Sequence, residues 1–329
     1  MGKHLRMNNL RVGVVGAGAF GRNHVRVLSR MAGVELVAIV DSDVARAQQL
    51  ATEHGGQAFA TLNTMPNVDA AVVATPTISH EDVATRLLNA GVDVLVEKPI
   101  ADTAAAGERM ARLADEKGRI LQVGHLERFN PAVIALQKAL TIPLFFEIHR
   151  LSIFTPRSLD IDVVLDLMIH DLDLVLSLTE AEPEEIRAAG ISVLSNKVDI
   201  ANVRLSFASG CIANLTASRV SVEQVRKMRV FQPGAYISLD YQRQDATRFS
   251  VGPPPEPGSL PKIGFEQLKV DRVEPLESEL LAFCEAVRQR TRPRVDGWQG
   301  ARALRLAEAI LDKIKEHAEI VAATIRSRH

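Results

Sequence analysis

The sequence lacks the features that mark secreted, membrane-spanning and nucleic-acid-binding proteins. Its two cysteines, Cys211 and Cys284, form neither a disulfide framework nor a metal-ligand spacing. No apolar run approaches the roughly 20 residues that span a membrane, and the N-terminus lacks the apolar core of a secretion signal. The net charge of −1 supplies no field that would recruit nucleic acid or an anionic membrane. We therefore expect a cytoplasmic protein with no metal site and with neither nucleic acid nor a membrane as partner.

The first part of the chain, up to about residue 125, alternates between two patterns. Short apolar runs rich in β-branched residues are separated by amphipathic segments, which is typical of β-α-β units and of a parallel sheet covered on both faces. Residues 1–125 are therefore predicted to form an α/β domain. The predicted strands are 11–15, 35–40, 70–74, 92–96 and 120–123, and the predicted helices are 21–30, 44–54, 79–90 and 103–117.

Beyond residue 125 the sequence changes to successive strands joined by short turns. Consecutive strands of this kind pair as hairpins, so residues 126–329 are predicted to form an α+β domain with a mostly antiparallel sheet. The segment 252–264 contains five prolines and predicts a loop. The predicted strands are 145–151, 186–194, 200–208, 211–220, 227–231 and 235–241, and the predicted helices are 162–178, 277–290 and 298–326.

A glycine-rich turn follows the first predicted strand and opens the first predicted helix. Gly16 permits the tight turn, Gly18 lets a pyrophosphate approach the backbone, and Gly21 permits close packing of helix on strand. Ala19 and Phe20 complete the turn, where the helix N-terminus offers free N–H groups to phosphates. The pattern predicts a dinucleotide site; a glycine-rich turn without a ligand is the alternative.

An acidic residue at the end of the second strand indicates which dinucleotide binds. Asp41 lies 20 residues beyond Gly21, where a carboxylate accepts the ribose hydroxyls and repels a 2′-phosphate. Neither Ser42 nor Asp43 offers a compensating positive charge, which favours NAD over NADP. Arg46, one helical turn away, weakens that preference, and a purely helix-capping Asp41 remains the alternative.

Unusual residues follow the later strands of the predicted parallel sheet. Ligands of such sheets bind beyond the carboxyl ends of the strands. Lys98 is placed there for chemistry on a substrate beside the dinucleotide; an ordinary surface lysine is the alternative. The residues at these strand ends are Thr75, Pro76, Glu97, Lys98, Pro99, Gly124 and His125.

A polar stripe runs along the otherwise apolar helix predicted at 162–178. Asp162, Asp166, His170, Asp173 and Ser177 are spaced by four, four, three and four residues, which puts them on one face. Carboxylates around a histidine would be costly in a hydrophobic core, so the stripe should face solvent or a cleft. A bond from Asp166 to one imidazole nitrogen of His170 would leave the other nitrogen as a base. A solvent-facing stripe without a catalytic role is the alternative.

Several motifs occur in the order found in one protein family. They are the glycine turn, Ala74-Thr75-Pro76-Thr77 with His80, Glu97-Lys98-Pro99, Gln122-Val123-Gly124 with Arg128-Phe129-Asn130-Pro131, and Asp166-x-x-x-His170. From about Arg11 to Trp298 the chain thus resembles the Gfo/Idh/MocA family of sugar and inositol dehydrogenases.

The resemblance implies an NAD-binding Rossmann domain and a C-terminal α+β domain whose open sheet mediates homodimer or homotetramer assembly. It implies that His170 removes a sugar hydroxyl proton while hydride leaves for the nicotinamide, with Lys98 holding the oxygen and Asp166 orienting the base. The peptide bond before Pro99 would be cis. The other residues expected to contact NAD are Thr75, Pro76, His80, Glu97, Lys98 and Gln122.

A narrower resemblance concerns four segments: 123–131, 164–171, 213–219 and 231–238. They resemble a bacterial branch of the family that oxidises the 3-hydroxyl of UDP-N-acetylglucosamine to the 3-keto sugar. In that branch a PLP-dependent aminotransferase then forms a 3-amino sugar for lipid A, so such an aminotransferase is the expected pathway partner. The rivals are another sugar or inositol dehydrogenase and a non-catalytic NAD-sensing regulator.

A UDP-sugar requires cationic or amide groups around its diphosphate. Arg128, Arg150, Arg157 and Arg219 all lie near predicted strand ends or loops of the second domain, and Arg157 and Arg219 are the preferred pair. For each arginine an exposed structural ion pair is the alternative. Two further residues, His125 and Asn130, are expected beside the nicotinamide or the sugar, with Asp166 and His170 facing the substrate.

Overall fold

The computed structural model describes residues 9–155, 161–254 and 260–326, and these form two compact units. One holds the described residues up to Leu126 together with Glu274–Arg302; the other holds those of Glu127–Val273 and those from Ala303 onward. The sequence predicts a single boundary near residue 125, whereas the structure returns a later segment to the first unit. Within the described ranges, no helix is long and apolar enough to cross a membrane.

The first unit is built on a six-stranded sheet in which all paired strands are parallel. The strand order is β3-β2-β1-β4-β5-β6, which confirms the predicted Rossmann architecture. The central strands are buried on both faces, as apolar β-branched runs between helices require. The strands are β1 (Leu10–Val15), β2 (Val34–Val40), β3 (Gln57–Phe59), β4 (Ala70–Val73), β5 (Asp93–Glu97) and β6 (Leu121–Gly124). The helices are α1 (Gly21–Leu28), α2 (Val44–His54), α3 (His80–Asn89) and α4 (Ala104–Lys117).

The second unit carries an eight-stranded, mostly antiparallel sheet, as the α+β prediction requires. Its order is β14-β13-β12-β11-β7-β10-β9-β8, and only the β7–β10 pair among the described strands is parallel. The strands alternate buried and more exposed residues, so that one face of the sheet is covered. They are β7 (Phe145–Ile153), β8 (Pro183–Ile191), β9 (Ile200–Phe207), β10 (Ile212–Ser221), β11 (Val225–Gln232), β12 (Ala235–Asp240), β13 (Asp245–Val251) and β14 (Ile263–Gln267).

The helices of the second unit depart from the predictions at two places. Helix α5 (Pro131–Ala139) was not predicted, although Pro131 stands at its first turn and Asn130 caps it. The helix predicted over 162–178 is in fact a π-helical turn, Val164–Met168, followed by α6 (Ile169–Thr179). Such a turn widens the helix and changes which side chains share a face.

The predicted loop over 252–264 is partly wrong because its last residues, from Ile263 on, begin the edge strand β14. Residues 255–259 of that segment lie outside the described residues. Two C-terminal helices follow, α7 (Pro275–Gln289) and α8 (Gly297–Arg326), as predicted. Helix α7 belongs to the first unit because Leu280, Phe283 and Val287 pack into the same core as the apolar residues of α1 and the parallel sheet.

Candidate active site

The three motif glycines of the turn after β1 have different surroundings. Gly16 has a φ of +98°, and a Cβ there would lie 2.5 Å from the carbonyl oxygen of Ala74. A Cβ on Gly21 would overlap the Gly16 carbonyl oxygen, so both glycines are needed for packing. A Cβ on Gly18, by contrast, would meet nothing within 4 Å. The open space at Gly18, at the N-terminus of α1, fits a pyrophosphate group.

The Asp41 carboxylate lies beside this turn and holds it. It accepts hydrogen bonds from the backbone N–H groups of Ala17 (2.7 Å) and Asp43 (2.8 Å). Arg46 lies 3.6 Å away and also binds Asp43 at 3.1 Å. A carboxylate offers about four acceptor positions, so Asp41 retains capacity for ribose hydroxyls. The residues of the turn and of the β2 end therefore fit an NAD molecule.

His80 ties two strand ends together. Its Nδ1 lies 2.9 Å from the carbonyl oxygen of Pro99 and its Nε2 lies 2.9 Å from that of Thr75. Burial lowers the pKa of His80, while its hydrogen bonds to the two carbonyls act in the opposite direction. Thr75 in turn accepts a hydrogen bond from Ser79 at 2.9 Å. These contacts shape the segment around Pro76, and contact of these residues with NAD stays a prediction.

Lys98 is half-buried just beyond β5, and the expected cis bond between Lys98 and Pro99 is present. Its neighbour Glu97 has two protein partners. The Glu97 Oε1 lies 2.7 Å from Nε2 of the buried His24, and the Glu97 Oε2 accepts the backbone N–H of Lys98 at 3.3 Å. Gln122, fully buried on β6, donates to the backbone carbonyl of Glu279 at 3.3 Å. Glu97 therefore has a structural role that the sequence did not indicate, in addition to the cofactor contact predicted for it.

The polar stripe predicted on the second unit's helix divides in the structure. Asp166 lies on the π-helical turn and His170 lies in the first turn of α6, and both are half-buried. Asp162 instead accepts the backbone N–H of Val198 at 2.8 Å. Asp173 is buried, so the expectation that it faces solvent or a cleft is wrong. The π-helical turn shifts its angular position, and Arg128, 4.0 Å away, supplies a countercharge.

Several of the residues predicted to bind substrate are buried. Arg219 donates to the carbonyl of Ile161 and lies 3.8 Å from Asp199. Asn130 caps α5 and donates to the carbonyl of Tyr241 at 3.1 Å. His125 is 1% exposed. Their roles toward substrate stay predictions, as does that of Arg157, which lies outside the described residues.

A cluster of charged side chains lies on the covered face of the second unit's sheet. Arg150 on β7 forms two bonds to Asp171 of α6, at 2.7 and 2.8 Å, and a third to Glu127 at 3.1 Å. Arg226 stands directly opposite Arg150 on β11, and burial, followed by the charge of Arg150, lowers its pKa. Burial beside Asp171 also raises the pKa of Tyr241. Arg150 is thus engaged as a structural cation. Arg226 was missed because the strand predicted from the sequence begins one residue later, at Lys227, than this position.

A parallel sheet whose first turn can take a pyrophosphate, with a half-buried lysine beyond another strand of the same sheet, is the arrangement of a dinucleotide-dependent oxidoreductase. Family comparison reaches the same class. Residues 10–125 match the model described as "Oxidoreductase family, NAD-binding Rossmann fold", and residues 147–234 match the "GFO/IDH/MocA C-terminal domain". The chain belongs to the Gfo/Idh/MocA family and is an NAD-binding oxidoreductase, as predicted.

Individual relatives narrow the comparison. The chain is 36% identical over 303 residues to the UDP-N-acetylglucosamine 3-dehydrogenase of Acidithiobacillus ferrooxidans, covering 92% of this chain and 96% of the relative. A solved structure of that enzyme superposes with a TM-score of 0.87 at 33% identity, covering 94% of this chain and 99% of the other. An inositol 2-dehydrogenase of Rhizobium meliloti is 25% identical over 94% of this chain and 98% of the relative. The relatives support oxidation of a hydroxyl on a small sugar-like molecule.

Proposed function

We propose that this protein oxidises the 3-hydroxyl of UDP-N-acetylglucosamine to the 3-keto sugar, with NAD as hydride acceptor. The observation that carries the proposal is the 36% identity to a UDP-N-acetylglucosamine 3-dehydrogenase over 92% of the chain. The runner-up is an inositol dehydrogenase, which the 25% identity to an inositol 2-dehydrogenase supports more weakly.

The proposed mechanism uses one residue as a base and another as a cationic hydrogen-bond donor. His170 takes the hydroxyl proton, and Asp166, one turn earlier, holds the imidazole in the tautomer that can accept it. Lys98 hydrogen-bonds the same oxygen and stabilises the alkoxide character that develops as hydride leaves. NAD, when bound at the glycine turn and Asp41, supplies the acceptor for that hydride. The family resemblance supports the joint action of Lys98 and His170.

The proposal extends to partners and location. Arg128, Arg157, Arg219, His125 and Asn130 are proposed substrate contacts. The protein would act as a homodimer or homotetramer in the cytoplasm. A PLP-dependent aminotransferase would consume the ketone, and a ketone that is removed draws an unfavourable oxidation forward.

A deuterium-transfer assay tests the substrate and the carbon together. The enzyme is incubated with NAD, a PLP-dependent aminotransferase to trap the ketone, and UDP-N-acetylglucosamine carrying deuterium at C3 or at C4. Deuterated NADH from the C3-labelled sugar alone supports the proposal. Label arriving from C4, or turnover with inositols and not with UDP-sugars, would contradict it. NAD binding without turnover on any substrate would favour a non-catalytic NAD-sensing regulator.

Lys98 offers a test of the mechanism. Lys98→Met should leave the Kd for NAD within about 3-fold and lower kcat by at least about 100-fold, the loss expected when a group that stabilises developing charge is removed. Unchanged kcat in this variant would rule out the role given to Lys98. Calorimetric titration with NAD and steady-state kinetics supply the two numbers.

A further inference from the structure

A buried polar cluster lies behind the strand ends of the first unit. It consists of His24 on α1, Glu97 at the end of β5, Gln122 on β6 and Glu279 on α7. His24 and Glu279 are each 1% exposed and Gln122 is fully buried. Polar groups are costly in such a place unless they serve one another or a function. None of the proposed chemical steps uses His24 or Glu279.

The two carboxyl groups of the cluster differ in charge. Burial alone would raise the pKa of Glu97, but the hydrogen bond and charge of His24, with the charge of Lys98, outweigh it and lower that pKa. Burial, followed by the charge of Glu97, raises the pKa of Glu279 well above its usual range. The lowered pKa favours an ionised Glu97, and the raised pKa favours a protonated Glu279. Because an ionised carboxylate only accepts, the His24 Nε2 at 2.7 Å is the donor.

The Glu97 carboxylate joins two functional elements through its two oxygens. Oε1 is held by His24, which lies in the first turn of the helix that the glycine turn opens. Oε2 accepts the backbone N–H of Lys98. Gly124 permits this arrangement, since a Cβ there would stand only 3.1 Å from Oε2 and 3.3 Å from the Glu97 Cα. The carboxylate is thus held by α1 and by the backbone of Lys98, in space that Gly124 of β6 leaves open.

We propose that Glu97 and His24 are positioning residues that couple occupation of the dinucleotide turn to the orientation of Lys98. A pyrophosphate draws on the N–H groups at the start of α1, and a displacement of α1 moves His24, the carboxylate it holds, and the backbone of Lys98. The coupling is reciprocal, so the state of Lys98 also affects dinucleotide affinity. Its importance for catalysis rests on the role proposed above for Lys98.

ADP-ribose separates this coupling from direct contact. It carries the adenosine, the pyrophosphate and the second ribose of NAD but no nicotinamide, so it fills the turn without the ring that reacts beside Lys98. The rate at which an amine-directed reagent modifies Lys98, read by peptide mass spectrometry, is measured with and without ADP-ribose. Wild-type protein should show a change of at least about 3-fold in this rate, because ADP-ribose alters the orientation of Lys98.

The decisive variant is Glu97→Gln, with Glu81→Gln as matched control. Glu81 is a carboxylate of the same unit, held at 2.7 Å by the exposed Arg109. The ADP-ribose effect should persist in Glu81→Gln and fall to within about 1.3-fold in Glu97→Gln. In Glu97→Gln, kcat at saturating NAD should also fall about 10- to 100-fold, the loss that a misplacement of about 1 Å can cause.

Two results overturn the proposal. One is a wild-type protein in which ADP-ribose leaves Lys98 modification unchanged, a result that needs no variant to fold. The other is a Glu97→Gln protein that keeps the full ADP-ribose effect. Because this measurement uses no sugar and no turnover, it can fail while the substrate proposal stands, and the deuterium assay can fail while the coupling stands.

Discussion

At the scale of single residues, Gly16 and Gly18 differ in what a methyl group would do. Gly18→Ala meets open space, so the fold should be unchanged, but the methyl group keeps the pyrophosphate from the backbone. Losing one charge-assisted hydrogen bond costs about 1.5–3 kcal/mol, so the Kd for NAD should rise about 10- to 100-fold. Calorimetric titration and thermal unfolding measure the two effects.

Gly16→Ala is the comparison for that experiment. Its φ of +98° and the Ala74 oxygen 2.5 Å from the new Cβ both oppose alanine, so it should lower the free energy of unfolding by about 1–3 kcal/mol or more. Equal unfolding temperatures for the two variants would contradict the division of tasks between these glycines.

Glu279 predicts a pH-dependent stability. Its pKa is raised in the folded protein above the ordinary value of 4.5, because of burial and the nearby Glu97. A carboxyl group with a raised pKa binds its proton more tightly in the folded protein. Its full contribution to the free energy of unfolding is therefore present below the unfolded pKa. That contribution is lost as the pH rises toward the folded pKa. Stability of the wild type should therefore fall, relative to Glu279→Gln, as the pH rises from about 5.

Urea unfolding of both proteins between about pH 5 and pH 9 measures this difference. Glu97, with its lowered pKa, loses its contribution only below its unfolded pKa, outside this pH range, so it does not produce the difference. Glu81→Gln controls for the loss of any one carboxylate. Parallel curves for wild type and Glu279→Gln would show that Glu279 is ionised in the folded protein.

The residues of the site differ in how far the sequence could reveal them. The glycine turn and Asp41 are local in the chain, and their spacing carries the chemistry. His24 and Glu97 are 73 residues apart, and Gln122 and the Glu279 carbonyl are 157 apart. Such pairs depend on how the sheet orders its strands, which no local pattern states. The sequence therefore does not distinguish His24 from the other polar residues of an amphipathic helix.

At the scale of elements, the contact between α6 and β7 depends on the buried pair Arg150 and Asp171. Arg150→Met leaves Asp171 buried without its two strongest donors, and breaking a buried pair from one side costs about 3–5 kcal/mol. Arg229→Met is the matched control, because Arg229 lies on the next strand, 55% exposed, and pairs with Glu147 at the surface. Exposed pairs contribute about 0–1 kcal/mol.

Urea unfolding at neutral pH compares the two arginine variants. Arg150→Met should lose at least about 3 kcal/mol more than Arg229→Met. A similar small loss in both would mean that the buried cluster adds little to the attachment of the helix to the sheet.

The same scale shows where strand and helix prediction fails. Strands β7 and β9 to β12 alternate clearly, because one face is covered, and the sequence predicts them. Strand β13 has no residue pattern of that kind beyond the buried Ala246, and the edge strand β14 is mostly exposed. The π-helical turn at Val164–Met168 is equally hidden, since its residues suit an α-helix.

At the scale of the whole molecule, the order of motifs along the chain was sufficient to predict the family, and the comparisons confirm it. Domain limits are harder, because a chain that returns to an earlier unit leaves no composition signal. Helix α7 looks in the sequence like any amphipathic helix of the second domain. Its apolar face is nevertheless completed by residues such as Val25 and Leu28 of α1, some 250 positions earlier.

The placement of α7 in the first unit leads to a prediction about folding. A fragment ending at Leu126 lacks Leu280, Phe283 and Val287, which the core of the first unit buries. Each such side chain contributes about 1.5–3 kcal/mol when buried, a large share of the roughly 5–15 kcal/mol that keeps a domain folded. The fragment should therefore unfold without a cooperative thermal transition, whereas a version with Glu274–Arg302 joined by a flexible linker should unfold cooperatively and bind ADP-ribose. Circular dichroism and calorimetry make the comparison, and a cooperative transition in the shorter fragment would show that α7 is dispensable to the nucleotide-binding unit.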